Sequence, residues 1–310
     1  MIVALAGGVG GAKLALGLNQ VVPPSDLAII VNTGDDVEMY GLHVSPDLDT
    51  VMYTLAGIAN PRTGWGIDGD TFAALKALSR LGCETWFGLG DQDLATHILR
   101  TQMLRAGQPL TTITQSLAAR LGVQTSLLPM CDERVGTVVQ TPDGDLSFQD
   151  YFVRRRATDR VLSLRFDGIE HARPTHQVRE ALAKARLVVF GPSNPFLSIQ
   201  PILSVPGFRE LLNSSPAPKV AVSPIISGRA VRGPADRLLR DLGHDVSAFG
   251  VAKLYAGLAD VFVIDERDVG ELPRIEALGL RVMTTKTLMS TAEDKRQLAQ
   301  TIICFALDEE

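Results

Sequence analysis

Four glycines stand together in Gly7–Gly8–Val9–Gly10–Gly11, ahead of Ala12–Lys13 and directly after the apolar run Ile2–Ala6. A glycine turn between a strand and a helix allows close backbone approach, and the helix N-terminus offers unpaired N–H groups to an anion. Gly8, Gly10, Gly11 and Lys13 are therefore candidates for holding phosphate. The spacing is neither the dinucleotide fingerprint, because Lys13 occupies the third glycine position, nor a Walker A loop, because Leu14 follows the lysine. Three acidic pairs accompany it: Asp35–Asp36, Asp47 with Asp49, and Asp91 with Asp93. Each falls at the end of an expected element, where a carboxylate can stabilise a helix dipole or face a cleft. Asp47 reads as a capping residue, whereas Asp49, deeper in its helix, is better placed to project. Carboxylates opposite a phosphate loop make chemical sense with a divalent ion between them, since magnesium shares carboxylate and phosphate oxygens.

Two more loops carry ligand-binding side chains. Gly191–Pro192–Ser193–Asn194–Pro195 follows the apolar run Leu187–Phe190, and Ser223–Pro234 contains Arg229 and Arg232. Guanidinium forks suit phosphate oxygens, although surface arginines and a proline-stiffened turn would look the same in sequence. His97 lies one helical turn after Asp93. Trp65, Trp86, Tyr40, Tyr53 and Phe87 cluster in the same region and can wall a flat aromatic substrate or simply pack. No nucleophile elbow, catalytic triad or zinc-ligand spacing is present.

These residues need a scaffold. Apolar runs at Ile2–Ala6, Leu27–Val31, Leu187–Phe190, Val220–Ser223 and Val261–Ile264 alternate with helical patterns. That rhythm predicts an α/β fold, a Rossmann-like doubly wound, mostly parallel sheet. Ser45–Pro46 signals a helix start, and helices are expected over 70–81, 91–106, 111–121, 175–185 and 292–307. A strand is expected near Glu84–Phe87, and a helix around Ile199–Leu212. Val135–Thr141 and Leu146–Phe152 flank Pro142–Asp143–Gly144 as a hairpin. Residues 1–60 and 175–310 read as the core, and 61–174 as a smaller inserted helical and antiparallel domain.

Composition narrows the class. The 310 residues are 45% hydrophobic and 21% charged, the balance of a globular protein rather than a disordered one. A net charge of −5 argues against a nucleic-acid binder. Three scattered cysteines give no disulfide framework. With no membrane-length apolar run and no signal-peptide pattern, a cytoplasmic location is expected.

Seven motifs occur in order: Gly7–Gly11, Asn32–Thr33–Gly34–Asp35–Asp36, Ser45–Pro46–Asp47–Leu48–Asp49–Thr50, Gly69–Asp70–Thr71–Phe72, Gly90–His97, Gly191–Pro195 and Ser223–Ile226. Together they resemble the CofD/FbiA family, the 2-phospho-L-lactate transferases of coenzyme F-420 biosynthesis. The resemblance implies a magnesium-dependent enzyme, often a homodimer. It would move a phospho-carboxylate unit from a guanylylated donor to the deazaflavin Fo, releasing GMP. It further implies Asp49, Asp36 and Asp91 as catalytic residues and Asp49, Asp35 and Asp70 as the metal shell. Gly8, Gly10, Gly11, Lys13, Asn32, Gly191, Ser193, Asn194 and Arg229 would surround the nucleotide. The transferred tail (lactate, enolpyruvate or glycerate) stays open, because phosphate-loop residues hardly distinguish them. The competing reading is a non-catalytic nucleotide- or nucleotide-sugar-binding regulator of the gluconeogenesis-factor type.

Overall fold

Five apolar residues in a row suit a strand covered on both faces, and the first element of the chain is one. The computed structural model describes residues 1–307. The chain opens with β1 (Ile2–Ala6), α1 (Gly8–Val21) and β2 (Leu27–Val31). A hairpin of β3 (Val37–Met39) and β4 (Leu42–Val44) precedes α2 (Pro46–Leu55). Then come α3 (Ala73–Arg80), α4 (Asp91–Arg105), α5 (Leu110–Arg120) and β5 (Ser126–Pro129). The strands β6 (Gly136–Thr141), β7 (Gly144–Ser147) and β8 (Ser163–Asp167) make a separate antiparallel sheet. The second half runs α6 (His176–Ala183), β9 (Leu187–Phe190), α7 (Gln200–Ser204), α8 (Phe208–Ser214) and β10 (Lys219–Val222). A two-residue hairpin, β11 (Ile225–Ile226) and β12 (Arg229–Ala230), leads to α9 (Ala235–Asp241) and α10 (Ala248–Tyr255). The chain closes with β13 (Val261–Asp265), α11 (Leu272–Glu276), β14 (Arg281–Thr285) and α12 (Ala292–Leu307).

Seven strands form the main sheet in the order β5-β2-β1-β9-β10-β13-β14, and every pairing is parallel. This is the doubly wound Rossmann order, with the winding direction reversing between β1 and β9. The crevice beyond the strand ends at such a reversal is where these sheets take ligands. Period-2 alternation divides the core. Ile2, Ala4 and Ala6 join Leu14, Val51, Ile113 and Ile302 on one face, while Val3 and Leu5 join Val178, Leu212 and Val251 on the other. Thr175 and Ser247 cap α6 and α10, accepting N–H bonds from Val178 at 3.2 Å and Gly250 at 3.0 Å. Such caps each contribute about 1 kcal/mol. Among the described residues no helix is long and apolar enough to cross a membrane.

The structure departs from the sequence reading at four places. β5 belongs to the main sheet although it falls within 61–174, because four edge-strand residues give too short an apolar run to recognise. Residues 84–87 form no strand. The expected helix around Ile199–Leu212 is broken between α7 and α8, where Pro206 lacks a donor and Gly207 turns at φ +87°. The second arm of the hairpin ends at Ser147, and Asp150–Arg154 winds instead into a π-helical turn. There the buried Gln149 side chain donates to Asp35 O at 2.9 Å, drawing the segment against the loop after β2.

Candidate active site

The loops after β1 and β9 interlock at the reversal point. Gly7 N–H donates to Ser193 Oγ at 3.1 Å, and that hydroxyl donates back to Gly7 O at 2.8 Å. A Cβ on Gly10 would sit 2.3 Å from Pro192 O, so the two loops approach this closely only with glycine there. Gly8, at φ +59°, gives its N–H to Asp47 Oδ1 at 2.7 Å. Helix geometry leaves the Val9 and Gly10 N–H groups without a partner inside α1. Both residues line a cleft of about 440 Å³, with Gly8, Lys13, Ser193, Asn194 and Arg232 at the same end. Lys13 Nζ donates to Met289 O at 2.8 Å, and burial, then the charges of Arg232 and Lys295, hold its pKa down. Asn194 Oδ1 caps the next turn, while its Nδ2 is buried without a partner. That end of the cleft thus offers two amides, an amide side chain and two cations to an anion.

The acidic floor begins at α2. Ser45 does not cap this helix; its hydroxyl donates to Asp36 Oδ2 at 2.8 Å. Asp47 is no simple cap either, since its Oδ1 holds the start of α1 and its Oδ2 accepts from Asn32 Nδ2 at 3.0 Å. Burial pushes the Asp47 carboxyl up to about 6. Burial, then the Asp47 charge, raises Asp35 well above its usual value, and Asp35 Oδ1 has no hydrogen-bond partner. Asp49 lines the cleft but receives both arms of the Arg100 guanidinium, one at 3.0 Å and one shorter. Arg100, on α4, is only 1% exposed. His97 places Nε2 3.2 Å from Asp93 Oδ1 and Nδ1 3.7 Å from Asp49 Oδ2. Tyr53 donates to Asp93 at 2.7 Å. Trp65, Phe87, Phe148 and Phe152 supply aromatic wall, with the last two stacked at 5.3 Å between centroids.

A whole-chain comparison fits this geometry. The family model described as 2-phospho-L-lactate transferase CofD matches residues 2–288. The chain belongs to the CofD family. It is 44% identical over 305 residues to a phosphoenolpyruvate transferase of Streptomyces griseus, covering 96% of each chain. It is 41% identical over 302 residues to a 2-phospho-L-lactate transferase of Methanosarcina acetivorans, covering 97% of this chain and 98% of the relative. A solved structure from Bacillus halodurans, described as a member of the UPF0052 family, superposes with a TM-score of 0.62. It covers 97% of this chain and 98% of its own at 17% identity, which speaks to the fold alone.

Within this CofD-family cleft, the expected residues separate into those that face the ligand space and those that brace it. Gly8, Gly10, Lys13, Ser193, Asn194, Asp35 and Asp49 line it. Gly11, Gly191 and Asn32 stand behind: Gly191 N–H bonds Leu5 O at 3.0 Å, and Asn32 ties Asp47 to Leu197 O. Asp36 also lies outside the lining and binds His43 Nε2 at 2.8 Å. Arg229 sits in β12 away from the cleft, and Arg232 takes the place expected for it. Asp70 and Asp91 are helix caps rather than site groups. Asp70 accepts the Gln92 and Asp93 N–H groups at 2.8 and 3.0 Å, while Asp91 accepts Ala73 and Ala74 N–H, both at 2.9 Å, and the Thr71 hydroxyl. Trp86 and Tyr40 are not part of the wall. Arg100 escaped the sequence reading because a buried arginine on a helix looks like surface charge. Phe148 and Phe152 escape it because the alternation after Pro142–Asp143–Gly144 has the pattern of a hairpin arm.

The donor set suits a magnesium ion at one position better than another. Asp49, Asp93 and His97 lie close enough to share an ion, but the Arg100 guanidinium bonded to Asp49 already supplies positive charge there, whereas Asp47 is held by neutral donors only. Asp35, with an unpartnered buried oxygen and a raised carboxyl beside Asp47, is the pair whose repulsion a hard cation would relieve. Asp70 is outside the cleft lining and spends its oxygens on the Gln92 and Asp93 amides.

Proposed function

We propose that this protein transfers a phospho-carboxylate unit from a guanosine-diphospho donor to the terminal ribityl hydroxyl of Fo in coenzyme F-420 biosynthesis. The hydroxyl oxygen forms the new bond to phosphorus, the phosphorus–oxygen bond to GMP breaks, and the hydroxyl proton passes to a cleft carboxylate. The observation that carries the reading is one cleft whose lining brings together a glycine turn with cations, a set of buried carboxylates and aromatic side chains. Val9 and Gly10 N–H, Asn194 Nδ2, Lys13 and Arg232 bind and orient the donor phosphates. Trp65, Phe87, Phe148 and Phe152 offer stacking area to the deazaflavin ring. Asp49, locked by Arg100, presents a fixed acceptor to the ribityl chain. A bound magnesium ion, held by Asp35 and Asp47, would neutralise phosphate charge during transfer. Alignment and charge neutralisation together lower the barrier to such a displacement. A homodimer and a cytoplasmic location belong to the same proposal.

The test incubates purified protein with Fo, magnesium and the lactate, enolpyruvate or glycerate donor in turn, followed by mass spectrometry. An Fo adduct carrying one of the three tails, with equimolar GMP, is expected. Nucleotide binding without any Fo adduct from all three donors would remove the transferase reading.

A further inference from the structure

Arg232 is a cleft cation whose hydrogen-bond partners are neutral. Its guanidinium donates to Thr63 O and, at 3.3 Å, to Arg62 O, which are neutral acceptors. Among the described residues no carboxylate forms an ion pair with it, and its charge reaches Lys13. A guanidinium carries five donors in a fixed fork. Two are used by carbonyls, and among the described residues the remainder have no further partner, so they are open to the cleft that Arg232 lines.

Both carbonyls belong to a loop over 60–66 that closes on itself. Gly64 N–H bonds Asn60 O at 2.8 Å, Asn60 N–H bonds Gly66 O at 3.0 Å, and Asn60 Oδ1 accepts Arg62 N–H at 3.0 Å. The loop lies over the glycine turn: a Cβ on Gly64 would be 2.7 Å from a Val9 methyl and 2.8 Å from an Arg232 nitrogen. Its Trp65 lines the cleft while remaining 49% exposed. One side chain therefore touches the anion end and holds the loop that carries an aromatic wall residue.

We propose that Arg232 is a positioning residue that couples occupation of the anion end to the placement of the 60–66 loop, and through Trp65 to the acceptor ring. This rests on the proposed reading of the cleft. An anion beside Lys13 supplies the missing counter-charge and fixes the guanidinium. A fixed fork then holds both carbonyls more firmly, so the loop settles only after the donor has arrived. Donor before acceptor is the binding order that results.

The chain has two tryptophans, so Trp86→Phe leaves Trp65 as the sole reporter. GDP is the probe. In that background GDP is expected to shift Trp65 emission and to slow tryptic cleavage at Arg62–Thr63 several-fold. Arg232→Lys keeps the charge but loses the fork. It should bind GDP more weakly by calorimetry, and at saturating GDP the emission shift and the protection are both expected to vanish. Asn60→Ala, which loosens the loop and leaves Arg232 intact, should raise cleavage with and without GDP yet preserve their ratio. Retention of both responses in R232K, or loss of the ratio in N60A with its retention in R232K, would overturn the coupling. GDP bound with Trp65 and cleavage unmoved in the parent would also overturn it while leaving the donor site standing. No GDP binding to the parent would instead bring down the reading of the donor site and the coupling with it.

Discussion

Replacing Arg100 with methionine removes a buried guanidinium and leaves Asp49 facing the interior with its counter-charge gone. Arg100 is 1% exposed and Asp49 4%, so solvent cannot substitute for the lost partner. Breaking a buried ion pair from one side costs about 3–5 kcal/mol, a large share of the roughly 5–15 kcal/mol that stabilises a domain. Asp49→Asn strands the arginine in the same way. Changing both residues together should be markedly less damaging than the sum of the two, because neither charge is then left alone. Urea unfolding of the four proteins, followed by tryptophan fluorescence, gives the coupling energy directly. A coupling of about 2 kcal/mol or more is expected. A coupling near zero, or an R100M protein as stable as the parent, would show that Asp49 is held by something other than this fork. Arg100→Lys should recover part of the stability and little of the activity, since an ammonium cannot align both carboxylate oxygens.

Two further outcomes follow from the same geometry. The Asp47 carboxyl is raised by burial to about 6, above its unfolded value of about 3.9, so the folded state binds that proton more tightly. Its contribution is therefore stabilising in acid and is lost as pH rises from about 4 to about 6, by on the order of 3 kcal/mol. Urea midpoints of the parent minus those of Asp47→Asn should fall across that window; a flat difference would contradict the assignment. Asp91→Ala should lower the urea midpoint through loss of a cap, with turnover in the transferase assay nearly unchanged. A collapse of kcat with an unaltered unfolding midpoint would return Asp91 to the chemistry.

The parallel core was legible because Ile2–Ala6, Leu27–Val31, Leu187–Phe190 and Val261–Ile264 carry the continuous apolar signature of doubly covered strands. The glycine turn was legible for a related reason, since Gly10 leaves no room for a side chain against Pro192 O. What sequence could not resolve was which carboxylate spends its oxygens where. Asp47, Asp49, Asp70 and Asp91 all stand in the first turn of a helix or just ahead of one. One holds a distant helix, one meets a buried arginine, and two cap each other's neighbours. Those partners lie 17 to 51 positions away, and helix periodicity carries no information about them. Arg229 and Arg232 differ by three positions, and only the β11–β12 turn decides which one enters the cleft.

The reciprocal caps of Asp70 and Asp91 also bear on how α3 and α4 assemble. α3 has no buried residue of its own, so tertiary packing gives it little reason to persist. Its first amides depend on the carboxylate that begins α4, whose own first amides depend on the residue just ahead of α3. Neither helix end can fray without releasing the other, which makes the two ends one cooperative unit in hydrogen exchange. The chain closed between them is short, so the pair can form early in folding, before the distant strands of the sheet have met.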